Sequence, residues 1–95
     1  MLNFNFYQIE IGKAEYTKEI EIKGEISNMS NRSYDTVAVR AVLFKRNAVV
    51  VNVIFMIHGM TAGSTKAFRK TIEDSDYGLL GKDINHYNIY VEATY

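Results

Sequence analysis

Residues 48–59 read AVVVNVIFMIHG, and nine of the first ten side chains are apolar, with Asn52 as the single interruption. The β-branched and aromatic content of this segment favours a strand over a helix. A membrane-spanning helix needs about 20 apolar residues, whereas Lys45-Arg46-Asn47 and His58-Gly59 stop this run well short of that length. We therefore predict a long β-strand and expect no direct membrane insertion.

Both faces of this strand are apolar, although only one face of a strand reaches the core of a two-layer sandwich. A buried Asn without hydrogen-bond partners costs on the order of 1–3 kcal/mol, which favours placing Asn52 on the outer face. The predicted inner residues are then Val49, Val51, Val53, Phe55 and Ile57. The predicted outer residues, which form the candidate contact face, are Val50, Asn52, Ile54 and Met56.

The rest of the chain shows further period-two segments, which indicate strands with one wet face. The clearest inward positions are Ile20, Ile22 and Ile26 in one strand and Val37, Val39, Ala41 and Leu43, with Arg40 opposite, in the next. Residues 66–72 predict another strand, and residues 86–94 predict the last, with Tyr87, Ile89, Val91 and Ala93 inward. Residues 4–11 form a less regular first strand, because the apolar parity changes between Phe6 and Ile9. The pattern predicts an all-β, antiparallel β-sandwich of about seven strands, as a single domain spanning residues 1–95.

Composition excludes several classes of function. The chain has no cysteine, so it forms no disulfide and no thiolate metal site. Its formal net charge is zero, which offers no general attraction to nucleic acid, and we expect no nucleic-acid partner. Met1 leads directly into the alternating pattern around Phe4 and Phe6, without the features of a signal peptide. Whether the domain was excised from a longer, anchored protein stays open.

No group of residues predicts catalysis or metal binding. His58 and His86 are isolated, without the paired spacing of a zinc site. The acidic segment 73–83 departs from the EF-hand pattern at its glycine and bidentate glutamate positions. The sequons at Asn28 and Asn31 are accounted for by turn chemistry. We therefore expect a protein that is not an enzyme, with no catalytic residues, no metal and no cofactor.

The centre of the chain resembles the FxLYD family of small sandwich domains and, more loosely, DUF3426-like and late-embryogenesis-type sandwiches. The residues that carry the resemblance are GEISN at 24–28, VAVRAVLFK at 37–45, AGSTKAF at 62–68 and YVE at 90–92. The sequence departs from the family pattern at Lys45, Asn47 and Ala62. The resemblance implies a seven-stranded immunoglobulin-like fold with Greek-key connections and no catalytic residues. It also implies a place outside the cytoplasm, on anchored bacterial or archaeal proteins, although a cytoplasmic location stays open.

Two functional hypotheses follow. The first is a non-catalytic module for protein–protein contact or domain spacing, which would bind a protein partner or form a homodimer through the strand at 48–57. The alternative is an accessory domain that binds a ligand or an ion through its tyrosines and the acidic segment 73–83. The chain has seven tyrosines, and aromatic side chains with a polar tip are enriched at recognition surfaces.

Overall fold

The protein is a sandwich of two antiparallel three-stranded sheets in a computed structural model that describes residues 3–13, 19–73, 84 and 86–95. The six strands of these ranges are β1 (Phe4–Lys13), β2 (Glu19–Asn28), β3 (Tyr34–Lys45), β4 (Ala48–Met60), β5 (Thr65–Glu73) and β6 (His86–Thr94). The first sheet has the order β1-β2-β5 and the second has the order β4-β3-β6. The all-β, antiparallel prediction is confirmed, whereas the described ranges hold six strands and not about seven.

The two central strands supply most of the core. Ile20, Ile22 and Ile26 of β2 are completely buried, and the inward residues predicted for β3 are also buried, as the alternation of both segments indicated. Central strands bury one whole face against the opposite sheet, so their apolar residues repeat with the strict period of two. Phe55 of β4 and Phe68 of β5 close one side of this core, with ring centroids 5.6 Å apart.

A bulge explains the irregular parity of β1. The pairing with β2 shifts between Tyr7 and Glu10, and Gln8 adopts a left-handed φ of 52°. One extra residue in a strand turns every later side chain to the other face. Phe6 before the bulge and Ile11 after it therefore both pack against the core.

Gly24 of β2 lies opposite this bulge because no side chain fits there. A Cβ atom on Gly24 would stand 2.6 Å from Cδ1 of Ile9 and 3.1 Å from the carbonyl oxygen of Tyr7. The close backbone approach expected of a glycine on the inner parity of a strand is thus observed. The bulge itself belongs to β1.

A tight turn at Arg46 and Asn47 joins β3 to β4. Both residues have positive φ, 51° and 67° respectively, the arrangement of the two-residue type I′ turn that suits the twist of a hairpin. The sequence predicts this conformation for Asn47. It does not predict it for Arg46, and the closure of the hairpin between Lys45 and Ala48 accounts for the difference.

The side chain of Asn28 organises the connection between β2 and β3. Its Nδ2 donates to the carbonyl oxygens of Arg32 at 2.8 Å and Met60 at 3.1 Å, and its Oδ1 accepts from the amide and hydroxyl of Ser30. Asn28 is completely buried. The predicted turn chemistry is therefore present, and it also ties the end of β2 to the end of β4.

Two inward positions predicted for β6 are corrected by the structure. The pairing of β6 with β3 shifts between Ala38 and Val39, so Ala93 lies opposite Ala38 and on the outer face. Tyr87 remains 42% exposed because it lies near the start of an edge strand. Ile89 and Val91 pack against the core as predicted.

Candidate contact face

The outer surface of the β4-β3-β6 sheet contains the residues proposed from the sequence as a contact face. Asn52 is exposed, Ile54 is 40% exposed and Met56 is 48% exposed. The opposite parity contributes Val51, Phe55 and Ile57 to the core. The predicted orientation of this part of β4 is therefore observed, whereas its role in binding stays a prediction.

The structure corrects the prediction at the beginning of β4. Leu43 pairs with Val51 and Phe44 pairs with Val49, so Val50 is an extra residue without a partner opposite. The bulge reverses the parity of the residues before it. Val49, predicted to be inward, is 55% exposed, and Val50, predicted to be outward, is partly buried and packs against the core. Val49 therefore takes the place of Val50 on the outer face.

Cross-strand neighbours extend this surface over all three strands. Arg40 lies between Ile54 of β4 and Tyr90 of β6, and each of these two flanking side chains is 40% exposed. Ala38 lies between Met56 and Ala93 in the adjacent row. At the other end of the sheet, Phe44 packs against His86 with ring centroids 5.2 Å apart. We call this surface, centred on Arg40, the β4-β3-β6 face.

One hydrogen-bonded network lies within these apolar surroundings. Arg40 donates from Nε to Oε1 of Glu92 at 2.6 Å and from Nη2 to Oε2 at 3.0 Å, and its Nη1 donates to Oδ1 of Asn52 at 2.7 Å. The two parallel bonds to Glu92 form the bidentate geometry that makes guanidinium–carboxylate pairs specific. The network links the three strands of the sheet and satisfies the charges of the face internally.

The same contact changes the acidity of both partners. The hydrogen bond from Arg40 holds the pKa of the Glu92 carboxyl below its ordinary value, against a smaller opposing effect of desolvation. The hydrogen bond to Glu92 raises the pKa of Arg40 in turn. Both residues are therefore ionised at neutral pH, and the face carries no net charge from this pair.

The outer surface of the β1-β2-β5 sheet is different in character. Lys23 lies 3.5 Å from Glu10 and 3.8 Å from Glu21, and Arg69 lies 3.4 Å from the other carboxylate oxygen of Glu21. Such a surface of exposed, alternating charges is well solvated, and its ion pairs contribute little to stability. The two sheets therefore differ in their outer surfaces, since one exposes mainly charged side chains and the other exposes several apolar ones.

The two histidines do not converge on one site in the described ranges. His58 contacts Thr36, with 3.1 Å between Nδ1 and Oγ1, and His86 lies at the opposite end of the sheet. Among residues 3–13, 19–73, 84 and 86–95, no three acidic or histidine side chains are grouped as metal ligands. The acidic segment proposed as an ion site, apart from Glu73, lies outside the described residues, as do Tyr16 and Tyr77.

Among the surface depressions of the described ranges, two contrast in their lining. One of about 420 Å³ lies around Gly24 of the β1-β2-β5 sheet, and half of its lining residues are charged. The other, about 240 Å³, opens between β1 and β6 and is lined by Phe4, Phe6, Ile89, Tyr90 and Val91. Tyr90 is the one described tyrosine that faces both this opening and the β4-β3-β6 face.

The comparisons with known proteins leave the family open. No protein-family model matches the chain, and no curated protein matches it. The resemblance to FxLYD domains therefore stays a hypothesis. Within the part of the chain that the structure describes, no helix is long and apolar enough to span a membrane.

Sequence reasoning missed the partnership of Arg40 with Glu92 and Asn52. A signal was present, because Arg40 is the one charged residue between Asp35 and Lys45, and Asn52 is the one polar residue of its strand before His58. Glu92 is likewise the one acidic residue of β6. Isolated polar residues in three apolar strands are candidates for a shared network, but their register was needed to bring them together.

Proposed function

We propose that the chain is a non-catalytic β-sandwich module that binds a protein through its β4-β3-β6 face. The observation that carries this proposal is the contrast between the outer surfaces of the two sheets. One exposes alternating charges, whereas the other exposes Val49, Ile54, Met56 and Tyr90 around an internally neutralised Arg40. Contiguous exposed apolar patches on a small domain are typical of interaction surfaces.

The size of the face indicates what kind of contact it supports. Three strands about 4.8 Å apart, each presenting some nine residues at a rise of about 3.3 Å, cover roughly 400 Å². A stable interface between two proteins usually buries about 800 Å² on each partner. One face of this size supports a weak contact, and a stronger one requires additional surface.

The finer assignment of the fold is part of this proposal. We infer an immunoglobulin-like sandwich related to the FxLYD domains, with the strand order described above and the matched segments 24–28 and 37–45 as support. Under this assignment the module is a binding or spacing unit of a larger, extracytoplasmic protein. Fractionation of the source cells, with immunodetection of the chain in each fraction, would test that location.

A site-specific cross-linker tests the proposed contact. Benzoylphenylalanine at position 56 lies on the β4-β3-β6 face, and the same residue at position 71 lies on the exposed outer surface of β5. Irradiation in an extract of the source cells is expected to give a discrete protein adduct from position 56 and none from position 71. Adding Ile54→Lys should abolish the adduct, because a charge would be placed in the apolar contact. Equal labelling from both positions would contradict the proposal.

A second candidate function is a ligand-binding accessory domain that uses the opening between β1 and β6. Its basis is the aromatic lining by Phe4, Phe6 and Tyr90. Titration with small aromatic and aliphatic ligands, followed by NMR shifts of the Tyr90 ring and of the amide of Ile89, would test it. Shifts confined to the β4-β3-β6 face would favour the contact module instead.

A further inference from the structure

The four edge strands of the sandwich differ in how they are protected against pairing with another chain. β1 contains the bulge at Gln8, β6 contains the bulge near Glu92, and β5 carries Lys66 and Lys70 on its inner parity. Bulges and inward-pointing charges are known devices against edge-to-edge association. β4 has 13 residues and includes no Lys, Arg, Asp or Glu. It pairs regularly with β3 from Val51 to His58, before Gly59 adopts a left-handed φ of 70°.

The hydrogen bonds show which backbone groups of β4 point outward. The backbone amide and carbonyl of Thr36 are both hydrogen-bonded to the backbone of Tyr95, on the β6 side of the sheet. His58 lies opposite Thr36 on β4, and its carbonyl oxygen accepts a hydrogen bond from Nζ of Lys66 at 2.5 Å. Thr36 and His58 therefore form a pair that is not hydrogen-bonded within the sheet. Because such pairs alternate along an antiparallel ladder, Asn52, Ile54 and Met56 also turn their N–H and C=O groups away from β3.

Among the residues that the structure describes, these outward groups form a continuous edge that pairs with no other strand. Within the described ranges, no turn and no side-chain hydrogen bond reaches the backbone of Asn52, Ile54 or Met56. Lys66 occupies the edge at His58 and ends it on one side, and the bulge at Val50 ends it on the other. A strand edge of this kind is a template for another strand.

We propose that β4 pairs antiparallel with β4 of a second copy of this chain, about a two-fold axis at Ile54. Ile54 would then face its own counterpart, and Asn52 of each copy would face Met56 of the other. Each of these three facing pairs exchanges two backbone hydrogen bonds, and the two three-stranded sheets join into one. This inference rests on the proposed function, because it assigns a second copy to the edge that borders the contact face and so enlarges that face.

A second copy fits this edge for two reasons. The strand is uncharged, so self-pairing about Ile54 brings no like charges into contact, and the Lys66 side chains at the two ends lie about eight residues, or roughly 27 Å, apart along the strands. Pairing also places two β4-β3-β6 faces side by side. The joined surface covers about 800 Å². Edge pairing leaves this surface exposed, and its area is what a stable interface with a further protein buries on each partner.

Single cysteines test the arrangement in a chain that has none of its own. In the proposed dimer the Cα atoms of Ile54 are about 5.5 Å apart, within the range of a disulfide. Tyr90→Cys is the matched control, because Tyr90 has the same 40% exposure as Ile54 and lies on the other side of Arg40. Under mild oxidation at about 10 μM, Ile54→Cys is expected to give at least tenfold more linked dimer than Tyr90→Cys.

A second experiment tests the register of the two paired β4 strands, and it does not depend on the folding of Ile54→Cys. A mixture of Asn52→Cys and Met56→Cys chains should link to each other, whereas each variant alone should link poorly, because like positions are separated by about four residues along the strands. Sedimentation of the unmodified chain at about 100 μM should show a dimer. A monomer there, or equal linking by all variants, would overturn the proposal.

The two proposals fail separately. Capture of a different protein at position 56, together with no specific disulfide at 54 and a monomeric chain, would leave the contact function standing and overturn the dimer. Absence of any adduct from position 56 would contradict both. A self-adduct from position 56 with the predicted disulfide pattern would support both.

Discussion

The Arg40 guanidinium binds the Glu92 carboxylate side-on, with 2.6 Å from Nε to Oε1 and 3.0 Å from Nη2 to Oε2, between the exposed side chains of Ile54 and Tyr90. The remaining Nη1 donates to Asn52, so one cation joins the central strand to both of its neighbours. Because these polar groups satisfy each other, a partner that covers the face need not supply a charge. Its contacts would be made with the surrounding apolar side chains.

Acid should weaken the fold partly through Glu92. The pKa of its carboxyl is lowered in the folded protein by Arg40, so its contribution to stability is present above the pKa of the unfolded chain and is lost as the pH falls through the folded-state pKa. The melting temperature of Glu92→Gln should lie below that of the native chain at pH 7, and this difference should shrink below about pH 4. Thermal unfolding between pH 7 and 3 measures it. Glu10→Gln, on the opposite sheet, is the control, and a difference for Glu92→Gln that does not decrease as the pH falls would argue against the assignment.

Replacement of Asn28 by Ala should destabilise the protein by about 2–4 kcal/mol, because it removes the donor to the buried carbonyl oxygen of Met60 and the acceptor of the Ser30 amide and hydroxyl. Asn31→Ala, in the same turn but exposed, should change stability by less than about 0.5 kcal/mol. Urea titration of both variants measures the difference. Similar values for the two would show that Asn28 does not anchor the connection.

The bulge in β4 predicts unequal effects for two identical substitutions. Val51→Ala removes buried methyl groups and should cost about 1.5–3 kcal/mol. Val49→Ala, two residues away at a position that is 55% exposed, should cost less than about 0.5 kcal/mol. Denaturant midpoints compare the two directly, and equal losses would mean that Val49 lies in the core after all.

Gly24→Ala should destabilise the fold by about 1–3 kcal/mol, since the added Cβ meets Ile9 and the carbonyl of Tyr7. Ile9→Val removes the Cδ1 atom nearest to that position, so the cost of Gly24→Ala should fall by about 1 kcal/mol in this background. Gly12→Ala is the control, because a Cβ atom added to Gly12 would meet nothing within 4 Å. Strict additivity of the first two changes would disprove the proposed close approach.

Charge at position 54 should affect association and not folding. Ile54→Lys places a like charge beside Arg40, whereas Ile54→Glu places an opposite one, so their effects on monomer stability should differ in sign and stay within about 1 kcal/mol. Both should weaken association at the β4-β3-β6 face, because either charge would be desolvated there. Sedimentation and urea unfolding separate the two effects. Unfolding of the monomer by both variants would mean that Ile54 is required for the core.

The sequence by itself was sufficient for the architecture in its regular parts. The alternation around Ile22 and Val39 identified two central strands and their inward side chains, because the direction of successive side chains is a local property of an extended backbone. The same reasoning placed Asn52 outward, since the cost of burying an unpaired amide is also a property of the residue. The sequence also predicted a turn after Asn28 held by side-chain hydrogen bonds. It did not predict the hydrogen bond from Asn28 to the carbonyl oxygen of Met60.

Only the tertiary structure decided the bulges, the polar network and the open edge. The bulges at Gln8 and Val50 depend on which residues the neighbouring strand places opposite. The bulge at Val50 reversed the predicted positions of Val49 and Val50. Arg40 and Glu92 are 52 residues apart in the chain, and their contact depends on the register of β3 against β6. The free edge of β4 follows from the strand order β4-β3-β6. Register and strand order are set by hydrogen bonds and burial summed over the whole fold, so no local pattern of residues contains them.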